Sequence, residues 1–331
     1  MLGPFEWYQT VRVLYHLARF YPELVDCSAP LQRVPDELKS LAAPGPCESE
    51  DGGYGAIVNS EVFPLREGSA ARYRASYPKC AGPHPAIVFS GGGGDDGSGY
   101  LDLARHWASH GYVVLQPVHF DSFTHYHHVS RSKLLAHVRT TWDVWGLVLG
   151  EERMWRARCD DISRLLDEVG DMDGRIDVNR IGIGGYSYGA HVACLLGGAQ
   201  LMARSGRFNL RDDRFKAVLS ISGEHGAKRL PKSVWKTLAA PFLLITGDRD
   251  KTVWGRSFRE KLEAYRFAPE GLKQKLVVRG ANHFALSGRL WETAKHPADV
   301  VAQTAIFDIV RGASTQFWNQ QLGLNSPACL S

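Results

Sequence analysis

The 331-residue chain lacks several features that would place it in a special class of protein. It has no run of about 18 apolar residues, so it predicts no membrane-spanning helix. It has no run of about five like charges, and its formal net charge is only +4, which argues against nucleic acid as the main partner. The first ten residues lack the basic and apolar regions of a signal peptide, so the cytoplasm is the default expectation and the compartment stays open.

The cysteine patterns that bind metals are also absent. The six cysteines form no Cys-x-x-Cys pair and no spacing typical of zinc sites. Reduced thiols are the default expectation, although Cys27, Cys47 and Cys80 lie in loop-like sequence and could pair if the protein is exported. Cys194 is predicted to be a buried thiol. The sequence implies no metal.

What the chain does contain is the composition of a soluble globular protein with a large core. Hydrophobic residues make up 44% of it and charged residues 22%, and a single α/β domain of this length is common. We divide the chain into an N-terminal extension over 1–50, one domain over 51–315 and a C-terminal tail over 316–331. Residues 119–155, rich in histidine and aromatic side chains, are a candidate cap or lid.

Strands alternate with helices through the predicted domain. Short, continuous apolar runs predict buried strands, and longer runs with helical spacing predict helices. Two antiparallel strands are expected first, over 56–64 and 71–78, with a turn at 67–69. The later predicted strands are 86–90, 112–117, 180–184, 216–222, 241–246 and 275–279, and the helices are 101–110, 155–169, 190–202 and 297–311. This alternation predicts a mostly parallel sheet with helices on both faces.

The most specific motif lies where a predicted strand meets a predicted helix. Residues 185–189 read Gly-Tyr-Ser-Tyr-Gly, which matches Gly-x-Ser-x-Gly. In the arrangement called a nucleophile elbow, a tight turn exposes the serine hydroxyl at a helix N-terminus, and the glycines remove side chains that would clash. We therefore predict that Ser187 is a catalytic nucleophile. The alternative is a Gly- and Ser-rich turn in some other α/β fold.

A serine hydroxyl is a weak nucleophile, so Ser187 needs a base that a third group holds in place. In sheets of this kind the three groups follow successive strands in the order Ser, Asp or Glu, His. Asp248 and Asp250 both follow the strand predicted at 241–246, and either could orient the base. His283 follows the strand predicted at 275–279 and is the candidate general base and acid.

A glycine-rich loop supplies candidate donors for the oxyanion of an acyl-transfer reaction. Residues 90–96, Ser-Gly-Gly-Gly-Gly-Asp-Asp, follow the strand predicted at 86–90. One backbone N–H is expected from the residue after the nucleophile, Tyr188, and the other from this loop, at Gly92 or Gly93. The loop lacks the Gly-Lys-[Ser/Thr] ending of a phosphate loop, which disfavours that alternative. A plain flexible loop is the remaining interpretation.

Two further groups of polar residues are predicted to have no catalytic or metal-binding role. His125, His127 and His128 have no acid or cysteine in register for a metal site, which favours a lid or pocket wall with exposed histidines. Arg158 and Asp161 lie three residues apart on the polar face of an amphipathic helix, a spacing suited to an ion pair on the helix surface.

Together these motifs resemble those of the α/β-hydrolases, and most closely the dienelactone-hydrolase-like and platelet-activating-factor-acetylhydrolase-like serine esterases. The resemblance covers about residues 53–311 and is carried by the stretches 85–94, 108–114, 180–193, 244–250 and 280–288. It implies the α/β-hydrolase fold, a catalytic triad and no cofactor. The Gly-x-x-Asp-x-x-Val spacing usual in that fold favours Asp250 over Asp248.

The chain departs from these relatives close to the predicted site. They usually carry His-Gly in the oxyanion loop, where this chain has Gly91 and Gly92, and often carry His before the nucleophile, where it has Tyr186. Dienelactone hydrolase itself uses a cysteine nucleophile, so Ser187 argues against that activity. The segments 1–50 and 119–155 carry no resemblance.

The resemblance implies a serine hydrolase that cleaves carboxylic esters through an acyl-enzyme. The aromatic residues within 119–155 suggest a hydrophobic pocket, hence an apolar or aromatic part in a small-molecule or polymeric ester. Amidase or peptidase activity on the same triad is one alternative. A non-catalytic binding protein with the hydrolase fold is another. The oligomeric state stays open.

Overall fold

A computed structural model describes most of the predicted domain. The described residues are 50–59, 63–64, 72–119, 121–122, 152–169, 174–203, 206–223, 232–251, 257–288 and 297–323. The predicted N-terminal extension and most of the candidate cap lie outside them. No described helix is both long enough and apolar enough to cross a membrane.

The described residues form one large sheet, a short hairpin and six α-helices. The strands are β1 (Ala56–Val58), β2 (Phe63–Pro64), β3 (Arg72–Pro78), β4 (His84–Ser90), β5 (Val113–Val118), β6 (Ile176–Tyr186), β7 (Leu201–Ala203), β8 (Gly206–Phe208), β9 (Phe215–Ile221), β10 (Phe242–Gly247) and β11 (Lys273–Val278). The helices are α1 (Leu101–Ser109), α2 (Glu152–Val169), α3 (Tyr188–Leu196), α4 (Phe258–Lys261), α5 (Glu263–Phe267) and α6 (Pro297–Leu322).

Nine of the described strands pair in the order β1-β3-β5-β4-β6-β9-β10-β11, with β2 beside β3. From β5 to β11 all neighbours are parallel. Strands β1, β2 and β3 add an antiparallel edge, and β3 joins the parallel part through β5. The predicted α/β class with a mostly parallel sheet is confirmed.

The parallel strands are buried on both faces, as their continuous apolar sequences predict. Every residue of β4, β5 and β10 is buried. Alternate residues of β4 enter two different cores: Val88 packs with side chains of α2 and α3, and Ile87 packs with side chains of α1 and α6. Helices therefore cover both faces of the sheet. Because the faces are covered, a ligand can reach the sheet only at the loops that follow its strands.

The chain reverses its direction across the sheet at β4. This strand lies between β5 and β6, so the chain leaves β4 on one side and returns to β6 on the other. In α/β sheets, ligands bind beyond the carboxyl ends of the strands at such a switch point. The glycine-rich loop follows β4 and Ser187 follows β6, so both lie at this position.

The helix predicted over 190–202 is shorter than expected. Helix α3 ends at Leu196, and Gly197 and Gly198 form a turn in which Gly198 has a φ of 108°. A left-handed glycine is a common helix terminator. The apolar residues that follow belong instead to the hairpin of β7 and β8.

The last helix is longer than expected. The sequence predicts its end at Arg311, but α6 continues to Leu322, within the predicted C-terminal tail. Phe317 and Trp318 in this added part are fully buried in the core. The indole ring of Trp318 occupies the space where Gly182 of β6 has no side chain. Residues 316–322 thus pack as part of the domain.

The described cysteines are free thiols. Cys80, Cys159 and Cys194 make no disulfide. Cys194 is fully buried in α3, which confirms the prediction for it, and burial raises the pKa of its thiol well above the ordinary value. The other cysteines lie outside the described residues.

Candidate active site

The predicted nucleophile sits on a strained turn at the end of β6. Ser187 has φ 53° and ψ −114°, a conformation that residues with side chains rarely adopt. Its backbone N–H donates to the carbonyl of Ile221 at 2.9 Å. Helix α3 begins at the next residue, Tyr188. A strained serine between a strand and a helix N-terminus is the geometry of a nucleophile elbow.

The two glycines of the motif allow this turn to close. A Cβ at Gly185 would lie 2.2 Å from the carbonyl carbon of Gly189. A Cβ at Gly189 would lie 2.0 Å from the carbonyl oxygen of Ser90. Both clashes are with backbone atoms, which cannot rotate aside. The Gly-x-Ser-x-Gly spacing is therefore required for packing the elbow against the loop after β4.

The predicted base lies against the elbow. Because β6, β9, β10 and β11 run parallel, their carboxyl ends lie side by side. The His283 ring packs on that of Tyr186, the residue before the nucleophile, with the centroids 5.0 Å apart. The Tyr186 hydroxyl donates to the His283 carbonyl at 2.6 Å. Tyr186 thus ties the loop after β11 to the end of β6.

The two candidate acids have different environments. Asp250 is fully buried, and its Oδ1 lies 3.3 Å from His283 Nδ1. Thr246 donates to its other oxygen at 2.8 Å. Asp248 instead accepts a hydrogen bond from the Gly280 backbone N–H at 2.7 Å and shapes the turn. The geometry favours Asp250 as the partner of the histidine.

Two residues that sequence reasoning missed complete this cluster. Ser222 directly follows β9 and has a φ of 53°, and its Oγ lies 2.5 Å from His283 Nδ1. Lys261, at the end of α4, is fully buried, and its Nζ lies 3.0 Å from Asp250 Oδ1. The same Nζ donates to the carbonyl oxygen of Ser222 at 3.2 Å.

The cluster strongly favours the ionised form of Asp250. Burial alone would raise the pKa of this carboxyl. The Lys261 ammonium and the hydrogen bonds from His283 and Ser222 outweigh burial and hold the pKa of Asp250 well below its usual range. The group beside the histidine is therefore a carboxylate at neutral pH.

The loop after β4 uses its backbone N–H groups unequally. The Gly92 N–H donates to the Tyr100 hydroxyl at 3.2 Å. The Gly94 N–H lies 3.5 Å from a carboxylate oxygen of Asp121. The Gly93 N–H between them makes no hydrogen bond within the part of the chain that the structure describes. Of the two predicted loop donors, Gly93 is therefore the one whose N–H has no partner among the described residues.

A buried arginine binds the backbone carbonyls of this loop. Arg158 of α2 is fully buried and donates to the carbonyl oxygens of Gly91 at 2.7 Å and Gly92 at 2.9 Å. It also makes a two-point ion pair with Asp121, at 3.0 and 2.7 Å. Its guanidinium lies 4.6 Å from the centroid of the Tyr188 ring. One side chain thus contacts both parts of the chain predicted to supply oxyanion donors.

The predicted surface ion pair between Arg158 and Asp161 is wrong. Arg158 points into the protein, where it pairs with the equally buried carboxylate of Asp121, which follows β5. Asp161 instead lies 3.2 Å from His119 Nδ1, and His119 Nε2 lies 2.9 Å from Ser90 Oγ. Residues separated by 29 or more positions make these pairs, so helical spacing alone could not find them.

The signals that could have found the missed residues differ. Ser222 follows a predicted strand as Ser187 does, so its position at the active edge was readable from the strand pattern. Lys261 and Arg158 carry no local signal, because a buried cation is recognisable only from its partner across the fold. The histidine cluster at 125–128 lies outside the described residues. Within them, no group of three metal-binding side chains is found.

Solved structures share this architecture at low sequence identity. One is a protein of Klebsiella pneumoniae subsp. pneumoniae MGH 78578 that has been assigned as a dienelactone hydrolase. It is 13% identical, with a TM-score of 0.56 over 82% of this chain and 99% of that one. A ferulic acid esterase from Streptomyces cinnamoneus is 17% identical, with a TM-score of 0.53 over 82% and 91%. The chain has the α/β-hydrolase fold.

An acylaminoacyl peptidase from Pyrococcus horikoshii is also similar, at 15% identity and a TM-score of 0.53. The alignment covers 82% of this chain but only 43% of the peptidase. No family model matches the sequence, and the search of curated proteins finds no significant match. At these identities the likeness concerns the fold alone.

Proposed function

We propose that this protein is a serine hydrolase that cleaves carboxylic esters through an acyl-enzyme. The observation that carries the proposal is the strained Ser187 at the start of α3, on the same sheet edge as the buried Asp250–His283 pair. Strain of this kind is maintained at functional sites because the surrounding fold enforces it. The three residues also follow their strands in the chain order of the α/β-hydrolase triad.

In the proposed reaction, Ser187 Oγ attacks the ester carbonyl carbon while His283 Nε2 takes its proton. Collapse of the tetrahedral intermediate breaks the bond to the alcohol oxygen, and the imidazolium returns the proton to that oxygen. A water molecule, activated by the same histidine, then hydrolyses the acyl-enzyme. Asp250 and Ser222 lie at the Nδ1 side of the ring, which leaves Nε2 for these proton transfers.

We propose Gly93 and Tyr188 as the oxyanion donors. In a trans peptide the C=O and N–H point in opposite directions. Arg158 holds the Gly92 carbonyl at 2.9 Å, so the N–H of the same peptide unit, which belongs to Gly93, points away from the guanidinium. The Tyr188 N–H belongs to the unpaired first turn of α3, where the helix dipole favours negative charge.

The preference for an apolar or aromatic part of the substrate remains a proposal from the sequence. It depends on aromatic residues within 119–155, of which Trp155 is described and buried. If the proposal is correct, kcat/KM should rise with acyl chain length or aromaticity across a panel of esters. No dependence on either would remove this part of the proposal.

The catalytic role is tested by replacing Ser187 with alanine. Losing such a nucleophile lowers kcat by a factor on the order of 10⁶. Ser163→Ala is the matched control, because the Ser163 hydroxyl donates to Asp212 at 3.1 Å, and it should hydrolyse p-nitrophenyl esters as the unaltered protein does. A matched ester and amide pair then separates an esterase from an amidase. Near-normal ester hydrolysis by Ser187→Ala would refute the proposal.

A further inference from the structure

Two serines on neighbouring strands share an unusual backbone conformation. Ser187 and Ser222 both have a φ of 53°, and they directly follow β6 and β9, which pair side by side. The Ser187 N–H donates to the carbonyl of Ile221 in β9 at 2.9 Å, and the Ser222 N–H donates to the carbonyl of Ile245 in β10 at 2.8 Å. A turn with the same φ and the same bond to the next strand therefore recurs one strand further along the sheet.

The conformation of Ser222 indicates that its side chain has a role. Glycine adopts a positive φ without strain, whereas residues with a side chain rarely do. The chain has glycine at the next position, Gly223, but serine at the strained position itself. Strained residues of this kind cluster at functional sites. The hydroxyl is what serine supplies here and glycine would not.

That hydroxyl is the closest of the described partners of His283 Nδ1. The Ser222 Oγ lies 2.5 Å from Nδ1, whereas Asp250 Oδ1 lies 3.3 Å away. Hydrogen bonds from N–H to oxygen are mostly about 2.7 to 3.2 Å long between the heavy atoms, so the contact with the carboxylate is a long one. The first partner of the ring is therefore Ser222, and Asp250 lies behind it.

The hydrogen-bonding capacity of the hydroxyl sets the direction of its bonds. A serine oxygen accepts twice and donates once. Lys261 Nζ, which can only donate, lies 3.3 Å from the Ser222 Oγ. For Nε2 to take the proton of the nucleophile, His283 must carry its own proton on Nδ1, and that N–H is the second donor to Oγ. The hydroxyl hydrogen is then left for Asp250.

The electrostatics of Asp250 agree with this direction. Burial would raise the pKa of its carboxyl, but a hydrogen bond from Ser222 acts with Lys261 and His283 to lower it. A hydroxyl that donates to the carboxylate stabilises the ionised form. The same hydroxyl can therefore accept from the ring and donate to the acid at once.

We propose that Ser222 is a positioning residue that accepts the Nδ1–H of His283 and links the ring to Asp250. The inference rests on the function proposed above. During the reaction the Nδ1 proton stays on the ring and the hydroxyl proton stays on Ser222, while Nε2 takes the proton of Ser187 and returns it to the alcohol oxygen. The link fixes the tautomer and orientation of the ring, which the carboxylate alone does in a simple triad.

The fold holds this hydroxyl in place and away from the substrate. The Ser222 side chain is fully buried. Its backbone is fixed on both sides, because its N–H bonds to Ile245 and its carbonyl accepts from Lys261 Nζ at 3.2 Å. An effect of Ser222 on catalysis must therefore pass through His283, and substrate binding should not depend on it.

The test compares kcat and KM for ester hydrolysis in Ser222→Ala and Ser222→Gly, with Ser76→Ala as the matched control. Ser76 is an equally buried serine of β3, and its hydroxyl has no hydrogen-bond partner among the described residues. Both Ser222 variants are expected to lower kcat about 10- to 100-fold at unchanged KM, as a displaced catalytic group does. The control keeps both constants. A loss in kcat of less than about tenfold in Ser222→Gly would overturn the proposal.

The two Ser222 variants separate the hydroxyl from the strain. Glycine relieves the positive φ and alanine retains it, so Ser222→Gly should unfold at a higher temperature than Ser222→Ala. Because both lack the hydroxyl, they should lose kcat alike in spite of this difference. A residue that acts only as structural support would give a kcat that follows the unfolding temperature, with activity retained in Ser222→Gly, and this result would refute the inference.

A double variant tests whether Ser222 and Asp250 act as one unit. Losses in kcat do not multiply for groups that act together. Ser222→Gly combined with Asp250→Asn should therefore lower kcat no further than Asp250→Asn alone. Losses that multiply would show that Ser222 does not link the ring to the carboxylate.

A second readout separates failure of this inference from failure of the proposed function. The rate at which a fluorophosphonate labels Ser187 reports the reactivity of the serine and does not depend on the choice of ester. If the unaltered protein is not labelled, the serine-hydrolase proposal itself fails. If it is labelled, the inference predicts slower labelling of Ser222→Gly, and equal rates would refute the role of Ser222 alone.

Discussion

Two serines carry the backbone strain of the described non-glycine residues. Ser187 and Ser222 both have a φ of 53°, and each directly follows a parallel strand, β6 or β9. Such conformations cost on the order of 1–3 kcal/mol each and persist where the surroundings enforce them. The first is the proposed nucleophile, and the second contacts the proposed base. Both strained residues therefore belong to the proposed active site, beside or near His283.

The choice between the two acids gives a prediction at the same scale. Asp250→Asn removes the charge beside His283 and is expected to lower kcat by about 10⁴, as loss of the triad acid does elsewhere. Asp248→Asn is the matched control, because its carboxylate accepts from the Gly280 backbone and from no other described residue, and activity should stay within about tenfold. Steady-state ester hydrolysis measures both. Equal losses in the two variants would contradict the assignment.

At the scale of secondary-structure elements, helix α2 supports the glycine loop after β4. The link is Arg158, which reaches two loop carbonyls and the buried carboxylate of Asp121. Burial opposes the charge on Arg158, yet Asp121 holds the pKa of its guanidinium above the ordinary value. The pair therefore stays ionised in the core, and the loop is fixed to the helix by charge-assisted hydrogen bonds.

Arg158→Met is expected to affect stability and activity together. It leaves the Asp121 carboxylate buried without its cation, which costs about 3–5 kcal/mol. It also frees the peptide unit that carries the Gly93 N–H, and loss of one oxyanion donor lowers kcat about 10²- to 10³-fold. Urea unfolding and ester hydrolysis measure the two effects.

A double variant separates these effects. Arg158→Met with Asp121→Leu removes both charges and should recover stability while kcat stays low. Arg211→Met breaks an exposed ion pair with Asp213 and should cost no more than about 1 kcal/mol. If kcat returned with stability in the double variant, Arg158 would be only a structural residue.

At the scale of the whole molecule, buried carboxylates make the free energy of unfolding depend on pH in the acid range. Burial alone would raise the pKa values of Asp121 and Asp250, but Arg158 and Lys261 respectively lower both. A carboxyl with a depressed folded pKa contributes stability that is fully present above its unfolded pKa, about 3.9, and is lost as the pH falls below it. The free energy of unfolding should therefore decrease between pH 5 and pH 3.

The slope of that decrease is the measurable prediction. Urea unfolding at several pH values should show a shallower slope for Asp121→Asn and for Asp250→Asn, since each variant lacks one proton-binding group. Asp213→Asn, at an exposed carboxylate, should keep the slope of the unaltered protein. A slope unchanged in all three variants would mean that other groups control acid unfolding.

The sequence predicted the parts of the molecule that local pattern determines. Buried parallel strands are continuous apolar runs, so β4, β5, β9, β10 and β11 were found with ends correct to within about two residues. Ser187, Asp250 and His283 were predicted because each lies in the turn after a strand in a fixed chain order, and the structure places Asp250 and His283 3.3 Å apart. A short motif beside a reliable strand carries most of the information about this site.

The parts that were missed depend on contacts distant in sequence. Arg158 meets Asp121 across 37 positions, so its spacing to Asp161 on the same helix gave the wrong partner. Lys261 lies on a short helix whose sequence resembles a solvent-exposed turn, yet it is buried against Asp250. The last helix was ended too early because Trp318 belongs to it only through packing against β6. Tertiary contacts decided each case.

The central claim is tested most directly by treating the folded protein with a fluorophosphonate and locating the adduct by peptide mass spectrometry. The account predicts a single adduct on Ser187 that is absent from Ser187→Ala and from heat-unfolded protein. It predicts no adduct on Ser222, whose side chain is fully buried. A folded protein in which Ser187 stays unlabelled, or in which another residue is labelled, would contradict it.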